Sequence, residues 1–399
     1  MLTSLSFIFL LGLAMAAVCQ RLKLPRIIGM LLTGILLGPY ALNLLDPSIL
    51  AVSADLRQMA LIIILLKAGL SLNLADLKRV GRPAVMMACV PASFEILGFL
   101  IFAPHILGVT RVEAAVMGAV SPAVVIPRMV QLMEERYGTD KSIPQMIMAG
   151  ASCDDIFVIV LFSTFVTMAQ GGAVHGTDLL NVPVSIILGV ALGVGTGYAL
   201  SLFFEKAYVC GRYVRNSTKV IILLGVSFLL MAVETWLKEI VSISGLLAVV
   251  STACVLKIRS IPDVSSRLSE KFGKLWIAAE VILFVLVGAA VDIRYTLEAG
   301  LPALAMIAAA LVFRSLGTMF CLFGTALNLK ERLFCIIAYL PKATVQAAIG
   351  SVPLALGLPC GALVLSVAVL AILITAPLGA LGMDLTYKKF LKKNGSIPA

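Results

Sequence analysis

Residues 143–169 read IPQMIMAGASCDDIFVIVLFSTFVTMA, an apolar run with two adjacent acids, Asp154 and Asp155, near its middle. A helix needs about 20 mostly apolar residues to cross the hydrocarbon of a bilayer, and this run is long enough. A carboxylate at mid-span costs roughly 2.5–3.5 kcal/mol, and a second one beside it adds to that cost. Packing does not explain such a pair. Buried acids of this kind face a water-filled cavity and bind cations, protons or both, so the run sets both the fold class and the functional question.

The rest of the chain agrees with a membrane setting. Mean hydropathy is +1.07. Hydrophobic residues make up 61% of the 399 residues and charged residues only 13%, against roughly 25% charged in a soluble domain. Apolar runs recur at 3–18, 27–45, 55–73, 83–104, 113–133, 143–169, 182–204, 218–237, 240–257, 275–293, 301–326, 333–358 and 361–383. The expected fold is therefore an all-α polytopic membrane protein with about 13 transmembrane helices. The longest polar connection, 257–274, is too short to build a soluble core.

The net charge of +10 orients the chain instead of recruiting nucleic acid. With the N-terminus outside and the C-terminus inside, basic residues collect in the inner loops 21–26, 78–82, 136–141, 206–219, 257–274 and 330–332 and in the tail 388–393. The outer loops hold only Arg57, Arg111, Lys238 and Arg294, which is the positive-inside pattern. Tail lysines can also meet anionic lipid heads. The eight cysteines show no paired spacing and read as small apolar fillers. His105 and His175 fall in outer loops and form no metal-ligand pattern.

Segments echo one another seven spans apart. Ile28-Gly29-Met30-Leu31-Leu32 is matched by Ser244-Gly245-Leu246-Leu247-Ala248, and Ala68 to Asn73 by Val287 to Asp292. Span 5 is interrupted by Ser121-Pro122 and Pro127, span 12 by Pro341-Lys342-Ala343-Thr344. Proline removes a donor and clashes with the preceding turn, so both helices break near mid-membrane. An odd offset reverses direction across the bilayer. That predicts an inverted-topology repeat with two crossing broken helices: residues 1–170 as the first repeat, 171–217 as linker span and inner loop, and 218–399 as the second repeat and basic tail. In transporters of that design the half-helix ends help form an ion site, here with Ser121, Thr344 and Lys342 as polar partners.

Other ionisable residues also sit within spans. Glu95 and Arg314 occupy matching depths of repeat-related spans and are expected to meet as a buried ion pair, structural or coupling in role. Arg128 reads as a helix-end residue that snorkels. Lys342 stands in the break itself, where its ammonium can pair with one carboxylate and leave the other for a cation. Neighbours on a helix point about 100° apart, so Asp154 and Asp155 face different ways.

With these residues in view, the chain resembles the monovalent cation/proton antiporter superfamily and its NHA-type sodium/proton branch. Ala149-Gly150-Ala151-Ser152-Cys153-Asp154-Asp155 is similar to the Ala-Ser-x-Asp-Asp signature of the superfamily. Pro341-Lys342-Ala343-Thr344-Val345-Gln346-Ala347-Ala348 resembles the broken-helix motif of the branch, and Leu37-Gly38-Pro39 and Ser121 to Pro127 fit it too. The resemblance implies a dimerisation domain and a mobile core that exchange sodium or lithium for protons by elevator-like alternating access. It implies Asp155 as the main ion-binding carboxylate, with Asp154 beside it and paired to Lys342. Glu95 and Arg314 carry over by span position only. Many electroneutral relatives have Asn-Asp where this chain has Asp154-Asp155, and several electrogenic ones carry lysine in the span of Arg314, so stoichiometry is left open.

The expected partners are sodium or lithium ions, protons, membrane lipids and a second copy of the chain in a bacterial plasma membrane, with no cofactor and no nucleic acid. A sodium-coupled symporter of an organic anion and a non-transporting membrane sensor are the alternatives. No nucleophile constellation, metal-ligand cluster or phosphate loop points to an enzyme.

Overall fold

The computed structural model describes residues 1–22, 24–71, 81–120, 126–170, 178–209, 214–237, 243–292, 300–342 and 344–393. Ser121 to Val125, His175, Lys238 and Arg294 lie outside the described residues, and so does the side chain of Thr344.

The described chain is helical nearly throughout. In order the helices are α1 (Leu2–Arg21), α2 (Arg26–Leu37), α3 (Pro47–Ala51), α4 (Ser53–Ser71), α5 (Arg82–Met87), α6 (Val90–Ile106), α7 (Arg111–Gly118), α8 (Ile126–Glu134) and α9 (Ile143–Gln170). There follow α10 (Asp178–Val209), α11 (Asn216–Leu237), α12 (Gly245–Arg259), α13 (Pro262–Ala289), α14 (Gly300–Cys321), α15 (Leu329–Ala338), α16 (Thr344–Gly350), α17 (Val352–Ala355) and α18 (Gly361–Phe390). Among the described residues, eight helices are long and apolar enough to cross a membrane by length and composition. Helix is the economical solution there, because it satisfies backbone donors and acceptors within one segment.

Both interruptions expected from proline are present. One span is split between α7, which ends at Gly118, and α8, which begins at Ile126; the other between α15, ending at Ala338, and α16, beginning at Thr344. Each split span starts from a capping box. Thr110 and Glu113 satisfy each other's backbone N–H groups at the head of α7, and Asn328 and Glu331 do so at the head of α15.

Packing divides the chain into two compact units that each draw on distant stretches of sequence. The first comprises Met1–Ala54, Asn73–Val158 and Phe284–Ala399, the second Asp55–Leu72 and Ile159–Leu283. Small residues let helices approach closely within each. In the first unit, a Cβ on Gly29 of α2 would lie 2.4 Å from the Met15 carbonyl of α1. In the second, Gly189, Gly193 and Gly197 form one ridge of α10, and a Cβ on them would lie 2.6, 2.3 and 2.8 Å from the carbonyls of Ser244, Ala248 and Thr252. Thr252 Oγ1 donates across this seam to the Gly193 carbonyl at 3.1 Å. Glu234 of α11 accepts a hydrogen bond from the Gly245 N–H at 3.2 Å and so caps α12.

Candidate ion site in the first unit

The first unit encloses a cluster of charges built from four helices and the break before α16. Arg314, in the middle of α14, is fully buried, as are Glu95 of α6 and Asp154 of α9. Its guanidinium donates from Nη1 to Glu95 Oε2 at 2.9 Å and from Nη2 to Asp154 Oδ2 at 2.8 Å. Nε donates to the Tyr339 carbonyl at 2.8 Å. That carbonyl belongs to the C-cap of α15, where the break leaves backbone oxygens without helical donors and the helix dipole is negative. One rigid fork therefore satisfies two carboxylates and a helix end at once.

Tyr339 completes the wall. Its ring lies 5.5 Å from the Arg314 guanidinium carbon, and its hydroxyl donates to the Met87 carbonyl at 3.1 Å. Gly150, one turn before the acids, is the reason α9 can pass so near: a Cβ there would lie 2.7 Å from the Tyr339 hydroxyl. Sequence reasoning assigned Tyr339 no role. Its signal was a tyrosine in an apolar run immediately before the Pro341 break.

Lys342 is almost fully buried in the break, and its ammonium pairs with Glu95 Oε1. Its backbone N–H donates to Thr375 Oγ1 of α18 at 3.2 Å. Pro341 presses on α18 at Gly379, where a Cβ would come within 2.1 Å of the proline Cγ. The kink thus needs a glycine opposite it.

These pairings confirm one expectation and correct another. Glu95 and Arg314 do meet as a buried ion pair. Lys342 was expected on Asp154, yet it pairs with Glu95, while Asp154 pairs with Arg314. The physical reason is reach: the guanidinium spans both carboxylates, whereas Lys342 offers a single point charge to the nearer one. Two cations and two paired carboxylates balance. Asp155 remains beyond that balance.

Asp155 is half-buried and makes no ion pair among the described residues. Its Oδ1 is enclosed and has no hydrogen-bond donor there. Gln346 of α16 is also buried with its Oε1 unpartnered, and with Lys342, Phe99 and Met117 it lines a cavity of about 10 Å³, close to the smallest space that holds one water. Ser121 and the Thr344 hydroxyl, both expected as cation ligands, lie outside the described positions. Among the described residues no group of three or more His, Cys, Asp or Glu is placed to hold a metal ion.

Arg128 of α8 is held away from this cluster, by Asp384 of α18 and by Gln131. Its guanidinium carbon stands 5.0 Å from the Tyr387 ring.

An all-helical membrane protein with a broken span and a charge-balanced buried cluster beside one further carboxylate belongs to the class of ion-coupled membrane transporters. Comparison narrows the class. Over 98% of both chains the fold superposes on the sodium proton antiporter MjNhaP1 from Methanocaldococcus jannaschii at pH 8, with a TM-score of 0.82 at 20% identity. Residues 5–386 match the family model described as sodium/hydrogen exchanger, transmembrane. The chain is 34% identical over 388 residues to sodium/hydrogen exchanger 9B2 of Mus musculus, across 93% of this chain and 69% of that one. Against sodium/hydrogen exchanger 9B2 of Homo sapiens the identity is 33%, across 93% and 70%. The chain belongs to the sodium/hydrogen exchanger family. It is an integral membrane protein, and its family is one of transporters, not enzymes.

Proposed function

We propose that the protein exchanges sodium, or lithium, for protons at Asp155. The observation that carries this reading is that Asp155 makes no ion pair among the described residues, beside a cluster in which Glu95, Asp154, Arg314 and Lys342 are paired. A carboxylate so placed offers a hard monovalent cation an anionic ligand, and a proton neutralises it equally well. Competition for one group couples the two fluxes, because the site crosses loaded with one or the other.

Arg314 stays protonated at any working pH and cannot be the proton carrier. With Asp154 held by Arg314 and Lys342 by Glu95, one proton leaves Asp155 for each cation that arrives, so the exchange is electroneutral. Ser121 and Thr344, one at each broken span, complete an oxygen shell with freed backbone carbonyls. The inverted repeat over 1–170 and 218–399 with its 171–217 linker, the elevator-like movement of a core, and a homodimer complete the proposal. The basic loops support an N-terminus outside and a C-terminus inside a plasma membrane, and the two 9B2 exchangers named above are mammalian.

The test is sodium-driven proton flux in proteoliposomes holding the purified protein alone, with sodium, lithium and potassium compared. Asp155→Asn is expected to abolish flux while eluting as the wild type does on gel filtration. Wild-type flux in that variant would remove Asp155 from the mechanism. Sodium-dependent proton movement only on addition of an organic anion would favour the symporter instead.

A further inference from the structure

The second unit contains a cavity of about 530 Å³ that the exchange reaction does not use, between the end of α10, the starts of α11 and α13, and the turn after α12. That volume lies within the range of small-molecule sites. Its inner part is formed by Ser201, Phe204 and Lys219, all buried, and its rim by the exposed Glu205, Ile261, Asp263 and Arg267.

Lys219 is the residue that makes the cavity more than a gap. Lys219 is 8% exposed, it makes no ion pair among the described residues, and its Nζ stands 5.2 Å from the centre of the Phe204 ring. A buried ammonium with no anion is costly. The cost is higher here, because Lys219 lies in the first turn of α11, at the positive end of the helix dipole. The start of α13 meets the same cavity through Asp263 and Val264. The N-terminus of α11 and a buried lysine thus face one space, the chemistry of an anion site, while the first turn of α13 brings the acid Asp263 to the mouth. Structural ties hold the wall in place: Lys271 Nζ donates to Ser217 Oγ at 3.0 Å, joining α13 to α11.

The space is not purely an anion site. Asn216 at the head of α11 has its Oδ1 enclosed with no donor among the described residues. Glu205 and Asp263 stand at the mouth, so the two acidic side chains match Lys219 and Arg267 in number. An anion alone would satisfy the lysine and be repelled at the rim. A zwitterion carrying a phosphate and, a few ångströms away, an N–H-bearing ammonium would satisfy both ends. Ile261 is 69% exposed on the rim and the neighbouring Ile258 64% exposed, so the surroundings of the mouth are apolar as well.

We propose that this cavity binds the phosphoethanolamine headgroup of a membrane phospholipid. The phosphate is taken by Lys219, Arg267 and the N-terminus of α11, and the ammonium by Glu205, Asp263 and the Asn216 side-chain amide oxygen. The apolar residues at the mouth meet the start of the acyl chains.

The experiment uses the full chain in nanodiscs of phosphatidylcholine doped with phosphatidylethanolamine or phosphatidylglycerol. Retained lipid is counted by native mass spectrometry, and the melting midpoint is recorded alongside. Phosphatidylethanolamine is expected to be retained at least fivefold over the other two and to raise the midpoint. Lys219→Gln should lose that preference, and Lys219→Arg should keep part of it. The rim variant Glu205→Gln/Asp263→Asn alters only exposed residues, and it should elute as the wild type does on gel filtration and shift preference toward phosphatidylglycerol. Equal retention of the three lipids, or unchanged preference in Lys219→Gln, overturns the proposal. Preference for phosphatidylglycerol in the wild type refutes the ammonium half. If soluble glycerophosphoethanolamine raises the midpoint as much as the lipid does, the ligand is a soluble phosphate ester and the lipid assignment falls.

Discussion

Arg314 holds Asp154 at 2.8 Å, and the very next residue, Asp155, is left outside the ion pairs of the cluster. Two adjacent carboxylates are thereby given different work. One is paired with a guanidinium; the other makes no ion pair among the described residues, and on the proposed function it is the group that takes the cation.

Removing the fork should cost stability before it touches chemistry. Arg314→Ala leaves two buried carboxylates and the α15 carbonyl without their common donor, and loss of one partner from a buried pair typically costs about 3–5 kcal/mol. A marked fall in the melting midpoint of the detergent-solubilised protein is the expected outcome. Arg314→Lys should recover only part of it, because an ammonium cannot reach all three acceptors. A midpoint equal to wild type in Arg314→Ala would show that the cluster contributes no stability.

Glu95 and Lys342 should behave as a unit. Glu95→Gln leaves the Lys342 ammonium buried without its carboxylate, and Lys342→Met leaves the opposite excess. The double variant removes both charges, so its loss of stability should be smaller than the sum of the two single losses, by about 0.5–3 kcal/mol. Additive losses would place the two side chains apart in the membrane.

Gly379 should tolerate no side chain. A methyl group there meets Pro341 at 2.1 Å, and overpacking of a closed core costs about 1–3 kcal/mol. Gly379→Ala is expected to lower the melting midpoint and slow exchange, while the neighbouring exposed position Leu378→Ala does neither. Equal effects at both would mean that the proline does not bear on α18.

Exchange through Asp155 alone has two kinetic signatures. Lowering the pH should raise the sodium concentration for half-maximal flux, by about tenfold per pH unit on the acid limb, with little change in maximal rate. Proton and sodium then compete for one group. A membrane potential of about 100 mV is worth about 2.3 kcal/mol per uncompensated charge, yet clamping it should leave the rate unchanged. A rate that follows the potential would require a second titrating group in the cluster.

The parts legible in the sequence were those set by a residue's own surroundings along the chain. Hydrocarbon penalises a charge wherever it stands, so Asp154, Asp155, Glu95, Arg314 and Lys342 stood out against their apolar runs. Proline removes a backbone donor in any helix, so the breaks before α8 and α16 were visible as well. Even the Glu95–Arg314 pair followed, because two opposite charges at like depth have few other ways to be buried.

Partner choice was decided only by the tertiary structure. Asp154 and Lys342 were expected to meet, and instead Arg314 spans Glu95 and Asp154 while Lys342 takes the far oxygen of Glu95. Glu95 is 219 residues from Arg314 and 247 from Lys342 along the chain. That both of them reach Glu95, and that Arg314 rather than Lys342 takes Asp154, depends on helix rotation and on separations of a few tenths of an ångström, and no periodicity encodes those. The Tyr339 carbonyl became a ligand of Arg314 only because the break exposes it toward α14. The sequence by itself thus determined the membrane setting, the breaks and the inventory of buried charge. The tertiary structure decided which charges pair, because pairing is a matter of distance, and it leaves Asp155 outside the ion pairs among the described residues.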